Sequence, residues 1–325
     1  MPNSPKHVRL LMATRDGAAY LRPQLDSLIA QTHTDWSLDV ADDGSRDETR
    51  KILREYAAEY PQIRYFYGPG RGVAANFLFL LARAVRERPD ALISCTDQDD
   101  VWMPDKLTNA VRWFASQSGW HRQAMAYCCR AILTDAELNE MGTSSLPPRG
   151  ASFGNALVQN ILPGNATVLS PRAAAAVART VPAAIAADVP FHDWWFYLAL
   201  TGQGATIFND EKPGLFYRQH KGNQLGHHSQ LRGRWARFGL LVSGTYGEWI
   251  DRNLRALEAT QGSLTSEAMQ CLGEFIVARK NAELPQSVHR QSAMGDHLLL
   301  LLAKTGRLSR PAGMMPQQAQ TQARA

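Results

Sequence analysis

Short apolar runs alternate with longer amphipathic stretches through the first half of this chain. Residues 8–12, 38–41, 63–67 and 91–96 are apolar runs of strand length. Residues 20–31, 47–60 and 73–86 separate them with helical periodicity, and 105–116 follows the fourth run with Pro104 ahead of its start. Ser45-Arg46-Asp47-Glu48 has the Ser-x-x-Glu form of a capping box, which marks the start of the second helix. Strands alternating with helices predict a largely parallel sheet covered on both faces.

The pattern then changes. Residues 125–133, 165–170 and 206–209 read as further strands, 173–181 as an Ala-rich helix, and Trp194 as the start of another helix running to residue 200. Residues 141–152 are rich in Gly, Ser and Pro and read as a mobile loop. Beyond Ser229 the pattern is helical with interleaved Arg and Trp, and from Leu308 onward a Pro, Gln and Ala composition predicts disorder. The organisation expected is a first domain over 1–228, a helical region over 229–307 and a disordered tail over 308–325.

Composition narrows the classes. From Lys212 onward the chain carries 15 Lys/Arg against 7 Asp/Glu, whereas the preceding part carries 20 against 23. A basic C-terminal part suits an anionic partner such as phospholipid or pyrophosphate, and equally a merely solvated surface. Cys95, Cys128, Cys129 and Cys271 show no CxxC spacing, so reduced core cysteines in a cytoplasmic protein are expected. The polar lead before Val8 is too short for a signal peptide, and the run of leucines ending at Ala303 is far below spanning length, so any membrane contact is expected to be peripheral.

The candidate chemistry sits in loops. Thr96-Asp97-Gln98-Asp99-Asp100-Val101-Trp102 places three carboxylates directly after the fourth strand. Carboxylates so close repel one another unless a cation lies between them, and such hard oxygen ligands suit Mg²⁺ or Mn²⁺ shared with substrate phosphates. Ala13-Thr14-Arg15-Asp16-Gly17 follows the first strand and Asp42-Asp43-Gly44-Ser45 the second. Alone, each of these is an ordinary polar turn. Together they line the carboxyl edge of one parallel sheet, where such folds bind ligands. Gly68-Pro69-Gly70-Arg71-Gly72 follows the third strand with the wrong spacing for a dinucleotide fingerprint and reads as a flexible loop, which disfavours an oxidoreductase.

The order of these motifs resembles that of the inverting family-two glycosyltransferases of GT-A fold, in their bacterial rhamnosyltransferase-like branch. The resemblance runs through Thr14 to Gly17, Tyr20-Leu21-x-x-Gln24-Leu25-x-Ser27-Leu28-x-x-Gln31-Thr32, Asp42 to Ser45 and Asp97-Gln98-Asp99-Asp100-x-Trp102. It continues through Gly164-Asn165-Ala166-Thr167, Phe191-His192-Asp193-Trp194-Trp195 and Tyr217-Arg218-Gln219-His220, covering residues 8 to 225. It implies an α/β, GT-A type fold, with a mostly parallel central sheet flanked by helices and a helical C-terminal extension. It also implies that Thr14 and Arg15 line a base pocket and that Asp43 accepts a hydrogen bond from the pyrimidine or ribose. Asp99 becomes the direct metal ligand with Asp97 nearer the ribose, His220 a later ligand to the same ion or its phosphates, and Asp193 the base. Gln98, Gly164 and Asn165, within matched motifs, join the donor-binding set. Relatives usually have Tyr-Asn where this chain has Arg15-Asp16.

Elementary chemistry supports these roles. A departing pyrophosphate needs its charge stabilised, which a divalent cation does. An attacking hydroxyl needs a nearby base, and Phe191, Trp194 and Trp195 bring apolar bulk around Asp193. The competing reading is that His192-Asp193 caps the helix beginning at Trp194. Arg218 and Lys221 flank His220 and suit a pyrophosphate, and Gly222 and Asn223 suit a loop that closes over the donor. Asn76 either reaches the donor from the third helix or is simply exposed. The basic stretch 231–241 either lies on an anionic membrane or packs on the catalytic domain. The expectation is therefore a cytoplasmic, metal-dependent inverting transferase, peripheral at the membrane's inner face and with no nucleic-acid partner. It moves L-rhamnose from dTDP-β-L-rhamnose to a saccharide or lipid-linked saccharide. The alternatives are a UDP-hexose donor, or a non-catalytic nucleotide-sugar binding protein.

Overall fold

A computed structural model describes residues 7–220 and 244–308 of the chain. The first half runs β1 (Val8–Thr14), α1 (Ala18–Ile29), β2 (Trp36–Asp42), α2 (Thr49–Glu59), β3 (Ile63–Tyr67), α3 (Val73–Glu87) and β4 (Leu92–Thr96). These four strands pair in parallel in the order β3-β2-β1-β4. β1 and β4 are buried along their whole length, which is why their sequences are continuous apolar runs rather than alternating ones. The α/β architecture with a mostly parallel first half is thus the one expected.

The second half completes a mixed sheet. It adds β5 (Val101–Trp102), α4 (Lys106–Ser116), β6 (Met125–Thr134), β7 (Glu140–Thr143), α5 (Phe153–Ala156), β8 (Thr167–Leu169), α6 (Pro171–Ala178), α7 (Val181–Ala186), α8 (His192–Gly202) and β9 (Thr206–Arg218). The sheet extends from β4 through β8, β6 and β9 to β5, with β7 beside β6. β8 runs antiparallel to both neighbours, and β5 pairs antiparallel with the end of β9. Three C-terminal helices follow: α9 (Thr245–Glu258), α10 (Ser266–Lys280) and α11 (Ala293–Lys304). α9 packs on α7, and α10 on α5 and α8.

Several local expectations are corrected. The capping box does not form, because Ser45 turns its hydroxyl onto Asp42 and α2 begins only at Thr49, without a side-chain cap. Residues 140–143 form a strand, and the stretch beyond it is tied to the C-terminal region by Arg149 Nη1 on Asp296 at 2.6 Å. The expected 173–181 helix ends at Ala178, after which α7 starts anew. β9 runs on well past residue 209 to Arg218, and Leu308, assigned to the tail, is fully buried. The basic stretch 231–241 and the rest of the tail lie outside the described residues.

A buried ion network fixes the amino edge of the parallel strands. Arg9 on β1 is 3% exposed and donates from Nε to Asp39 on β2 at 2.6 Å and from Nη2 to Glu87 on α3 at 2.6 Å. Arg64 on β3 reaches the same two carboxylates at 2.8 and 3.0 Å. Asp39→Ala leaves the buried guanidinium underpaired and is expected to cost about 3–5 kcal/mol in urea unfolding. The Arg9 hydrogen bond holds the Glu87 carboxyl down at about 2 against an ordinary 4.5. Its contribution is therefore complete above pH 4.5 and lost as pH falls towards 2. Acid-unfolding curves of Glu87→Gln should be flatter than those of the parent across that window.

Candidate active site

The loops after β1, β2 and β4 lie side by side because those strands are parallel neighbours in register. Gln98 staples two of them together. Its Oε1 accepts from Thr14 Oγ1 at 2.5 Å and from the Arg15 backbone N–H at 3.0 Å, and its Nε2 donates to the Arg15 carbonyl at 3.2 Å. A Cβ on Gly17 would strike this amide at 2.3 Å, so the glycine makes room for the staple. Asp16 takes a left-handed φ of 48°, a conformation that Asn and Asp tolerate better than most residues. Its carboxylate accepts from Arg46 N–H at 2.7 Å and its own N–H donates to Ser45 Oγ at 2.9 Å. Arg15 points outward, half exposed.

Asp43 faces the glycine loop. Its carboxylate accepts from Gly70 N–H at 2.6 Å and Gly72 N–H at 2.8 Å, both glycines having positive φ. Asn76 is fully buried rather than exposed, donates to the Ala41 carbonyl at 2.8 Å, and leaves its Oδ1 without a partner. The Gly68–Gly72 segment is therefore a fastening for the edge of β2, with Asp43 as its pin.

A polar stripe on α1, continued just past its end, carries the acidic loop. Gln24, Ser27 and Gln31 are buried at helical spacing. Gln24 donates to Thr96 Oγ1 at 2.5 Å, Ser27 Oγ accepts from Trp102 N–H at 2.9 Å, and Gln31 donates to the Met103 carbonyl at 2.8 Å. In the sequence these residues stand only as members of a longer motif. The signal of their task is polar side chains on the face that a helix buries.

At the acidic loop the β5–β9 pairing sets Val101 against Phe216, and two residues further along that register Arg218 stands by Asp99. Arg218 Nε donates to the Asp99 carbonyl at 2.9 Å, and His220 Nε2 meets Asp99 Oδ2 at 2.7 Å. Tyr20 backs both, its ring centroid 4.6 Å from that of His220 and 4.8 Å from the Arg218 guanidinium. Arg218 is buried and holds the loop's backbone. Lys221, Gly222 and Asn223 lie outside the described residues.

Deeper in, Asp100 accepts from Asn165 Nδ2 at 2.6 Å, while its Oδ1 is buried without a partner. Lys106, at the start of α4, donates to the Asn165 carbonyl. Gly164 N–H points at Asp193 Oδ2, 3.4 Å away, and Asp193 Oδ1 accepts from Trp194 N–H at 2.7 Å. α8 begins at His192, one turn position before Asp193, so Asp193 is not the residue flanking the helix. His192 is a core ring stacked on Phe77 at 3.9 Å, and burial pulls it down to about 4, leaving it neutral.

The electrostatics draw these parts together. Burial, then Asp100, Asp99 and Asp193, hold the Asp97 carboxyl well above its usual range. Asp193 is joined to the acidic loop through the Gly164–Ala166 turn, whose first N–H faces Asp193 and whose Asn165 amide donates to Asp100. Burial and Asp99 raise Asp100, and burial lowers Lys106. Among the described residues no group of three His, Cys, Asp or Glu side chains converges as a metal cage. The site nevertheless fits a hard divalent cation that takes its remaining ligands from a diphosphate: Asp99 and His220 touch, and Asp97 lies in surplus negative charge.

The chain and its fold are similar to those of known proteins. The chain is 27% identical over 304 residues to the dTDP-rhamnosyl transferase RfbG of Shigella flexneri, covering 90% of this chain and 98% of that one. It is 26% identical over 121 residues to the putative teichuronic acid biosynthesis glycosyltransferase TuaG of Bacillus subtilis, covering 36% and 46%. Its fold is similar to S. aureus TarS 1-349 in complex with UDP-GlcNAc (TM-score 0.52, 14% identity, 93% and 88% covered). It is also similar to GalNAc-T7 with UDP, GalNAc and Mn²⁺ (TM-score 0.56, 8% identity, 95% and 55% covered). The fold is that of the GT-A glycosyltransferases. Over residues 10–159 the chain matches the model of Glycosyl transferase family 2.

A Cβ on Gly164 would lie 2.5 Å from His192 Nε2 and 3.4 Å from Asp193 Cβ. Gly164→Ala must therefore displace the start of α8. It is expected to lower transfer by about 10- to 100-fold in initial-rate assays while the protein stays folded by circular dichroism.

Proposed function

We propose that the protein is a metal-dependent inverting glycosyltransferase that moves L-rhamnose from dTDP-β-L-rhamnose to a saccharide acceptor in cell-surface polysaccharide synthesis. The observation that carries the reading is the convergence of Asp193 with the Asp97–Asp100 loop at one end of the sheet. The likeness to RfbG supports the choice of sugar.

Asp99, His220 and Asp97 would hold Mg²⁺ or Mn²⁺, which supplies charge stabilisation to the departing diphosphate. Thr14, Arg15 and Asp43 border the nucleoside, with Asn76 holding the end of β2 and Gln98 keeping the first and third loops in register. Gly164 and Asn165 shape the sugar side, and Arg218 secures the backbone of Asp99. Asp193 takes the proton of the acceptor hydroxyl as its oxygen bonds to the anomeric carbon. The bond from that carbon to the diphosphate oxygen breaks on the opposite face, and dTDP leaves with the electron pair.

A lipid-linked acceptor brings the protein to a membrane surface. Among the described residues no helix is long and apolar enough to cross a membrane. α11 presents Met294 (72% exposed) and Leu301 (55%) beside Lys304, in the basic part of the chain, which suits an anionic bilayer.

With Mg²⁺ or Mn²⁺ and a saccharide acceptor, dTDP should be released from dTDP-rhamnose. Turnover of UDP-hexoses alone would overturn the choice of donor. Asp193→Asn should lose about 10²–10⁴-fold in kcat while retaining donor binding by thermal shift. Full turnover in that variant would place the base elsewhere, and absence of turnover with any donor would favour a nucleotide-sugar binding protein. Sedimentation with vesicles of phosphatidylglycerol and phosphatidylethanolamine should fall in a Met294→Asp/Leu301→Asp variant; unchanged sedimentation would remove α11 as the membrane face.

A further inference from the structure

We propose that Lys106 is a positioning residue for the transfer step, fixing the turn beside Asp193 against the acidic loop. The inference rests on Asp193 being the base. Lys106 is 1% exposed, and lysine is almost never so buried unless paired. Its ammonium lies 3.2 Å from the centroid of the Trp102 ring and donates to the Asn165 carbonyl. Its stem packs against Gly214 on β9, where a Cβ would approach Lys106 Cγ to 3.1 Å. The aromatic ring, the strand and the carbonyl leave the side chain little freedom.

Asn165 is gripped from two sides. Its carbonyl takes the Lys106 ammonium, and its side-chain amide donates to Asp100 at 2.6 Å. It belongs to the single helical turn Gly164–Ala166, whose first N–H faces Asp193 Oδ2. Lys106 therefore links three pieces of chain that the sequence separates: the loop after β4, the turn before β8 and the start of α8. The first holds the donor side of the reaction in this reading, and the last the acceptor side. A hydrophobic residue would fill the same volume but could not hold the carbonyl of Asn165. An error of about 1 Å between reacting groups costs about 100-fold in rate, so a link between the two halves acts on transfer more than on binding.

The test uses the full chain with Lys106→Met, Lys106→Arg and Asp193→Asn. Three quantities are read: transfer to a saccharide acceptor, acceptor-free hydrolysis of the nucleotide sugar the chain turns over, and stabilisation by the matching nucleoside diphosphate with Mn²⁺. In Lys106→Met the kcat for transfer should fall about 30- to 100-fold, with hydrolysis, diphosphate stabilisation and acceptor KM each within about threefold. Lys106→Arg should recover part of the loss. Unchanged transfer, or equal losses of transfer and hydrolysis, would overturn the proposal. Should Lys106→Met fail to fold, Lys106→Arg is read in its place: its bulkier head must lower transfer several-fold while hydrolysis and diphosphate stabilisation hold, and equal losses of transfer and hydrolysis would overturn the proposal. Asp193→Asn separates the two claims. Loss in Asp193→Asn with none in Lys106→Met overturns only the positioning role, whereas full transfer in Asp193→Asn overturns the reading beneath it.

Discussion

Like charges crowded at the end of a buried strand are the constraint around which this molecule is arranged. Asp97, Asp99 and Asp100 follow β4 without a break, and their mutual repulsion adds to the cost of removing them from water. The chain answers from several directions. Arg218 engages the loop's backbone, His220 meets the outermost carboxylate, Asn165 meets the innermost, and Lys106 lies beneath. Apart from Lys106, which follows the loop directly, these partners are distant in sequence. The second half of the fold, with β9 returning beside β5, exists in the form that delivers them.

The opposite rim of the sheet meets a similar difficulty by other means. Arg9, Arg64, Asp39 and Glu87 share their charges in a closed network across β1, β2, β3 and α3. There opposite charges are matched within the protein. At the carboxyl rim negative charge remains in excess, which is the condition for recruiting a cation together with its phosphates. The two rims differ in what they leave unbalanced, and that difference supports the carboxyl rim as the proposed reactive edge.

The first four strands and their helices were legible because burial on both faces imposes continuous apolar runs, and amphipathic helices repeat at 3.6 residues. The short strands were less so. β7 has four exposed residues and so no hydrophobic signature, and β9 runs through Asp210, Glu211 and Lys212 because its pairing with β6, not its composition, holds it. In the proposed site, the acidic loop was conspicuous as clustered carboxylates, whereas Asp43 and Asp193 stood out only through the motifs that resemble the family's. Gln98, Lys106 and Asn76 do their work through tertiary contacts that no spacing encodes. Gln98 and Asn76 were assigned to the donor, yet their side-chain amides hold backbone groups of the protein. Ser45 misled for the opposite reason: its local pattern favoured a cap, and the buried Asp42 carboxylate competed for the hydroxyl.

The turn after β1 bears on how such a pocket can diversify. Its geometry depends on Asp16 adopting a left-handed backbone and on the Gln98 staple, and neither involves the Arg15 side chain. A large outward-facing group can therefore be exchanged at residue 15 while the hinge of the loop stays as it is. In the proposed reading, where residue 15 borders the nucleoside, ligand preference and architectural integrity are uncoupled there, so drift in one need not be repaired in the other.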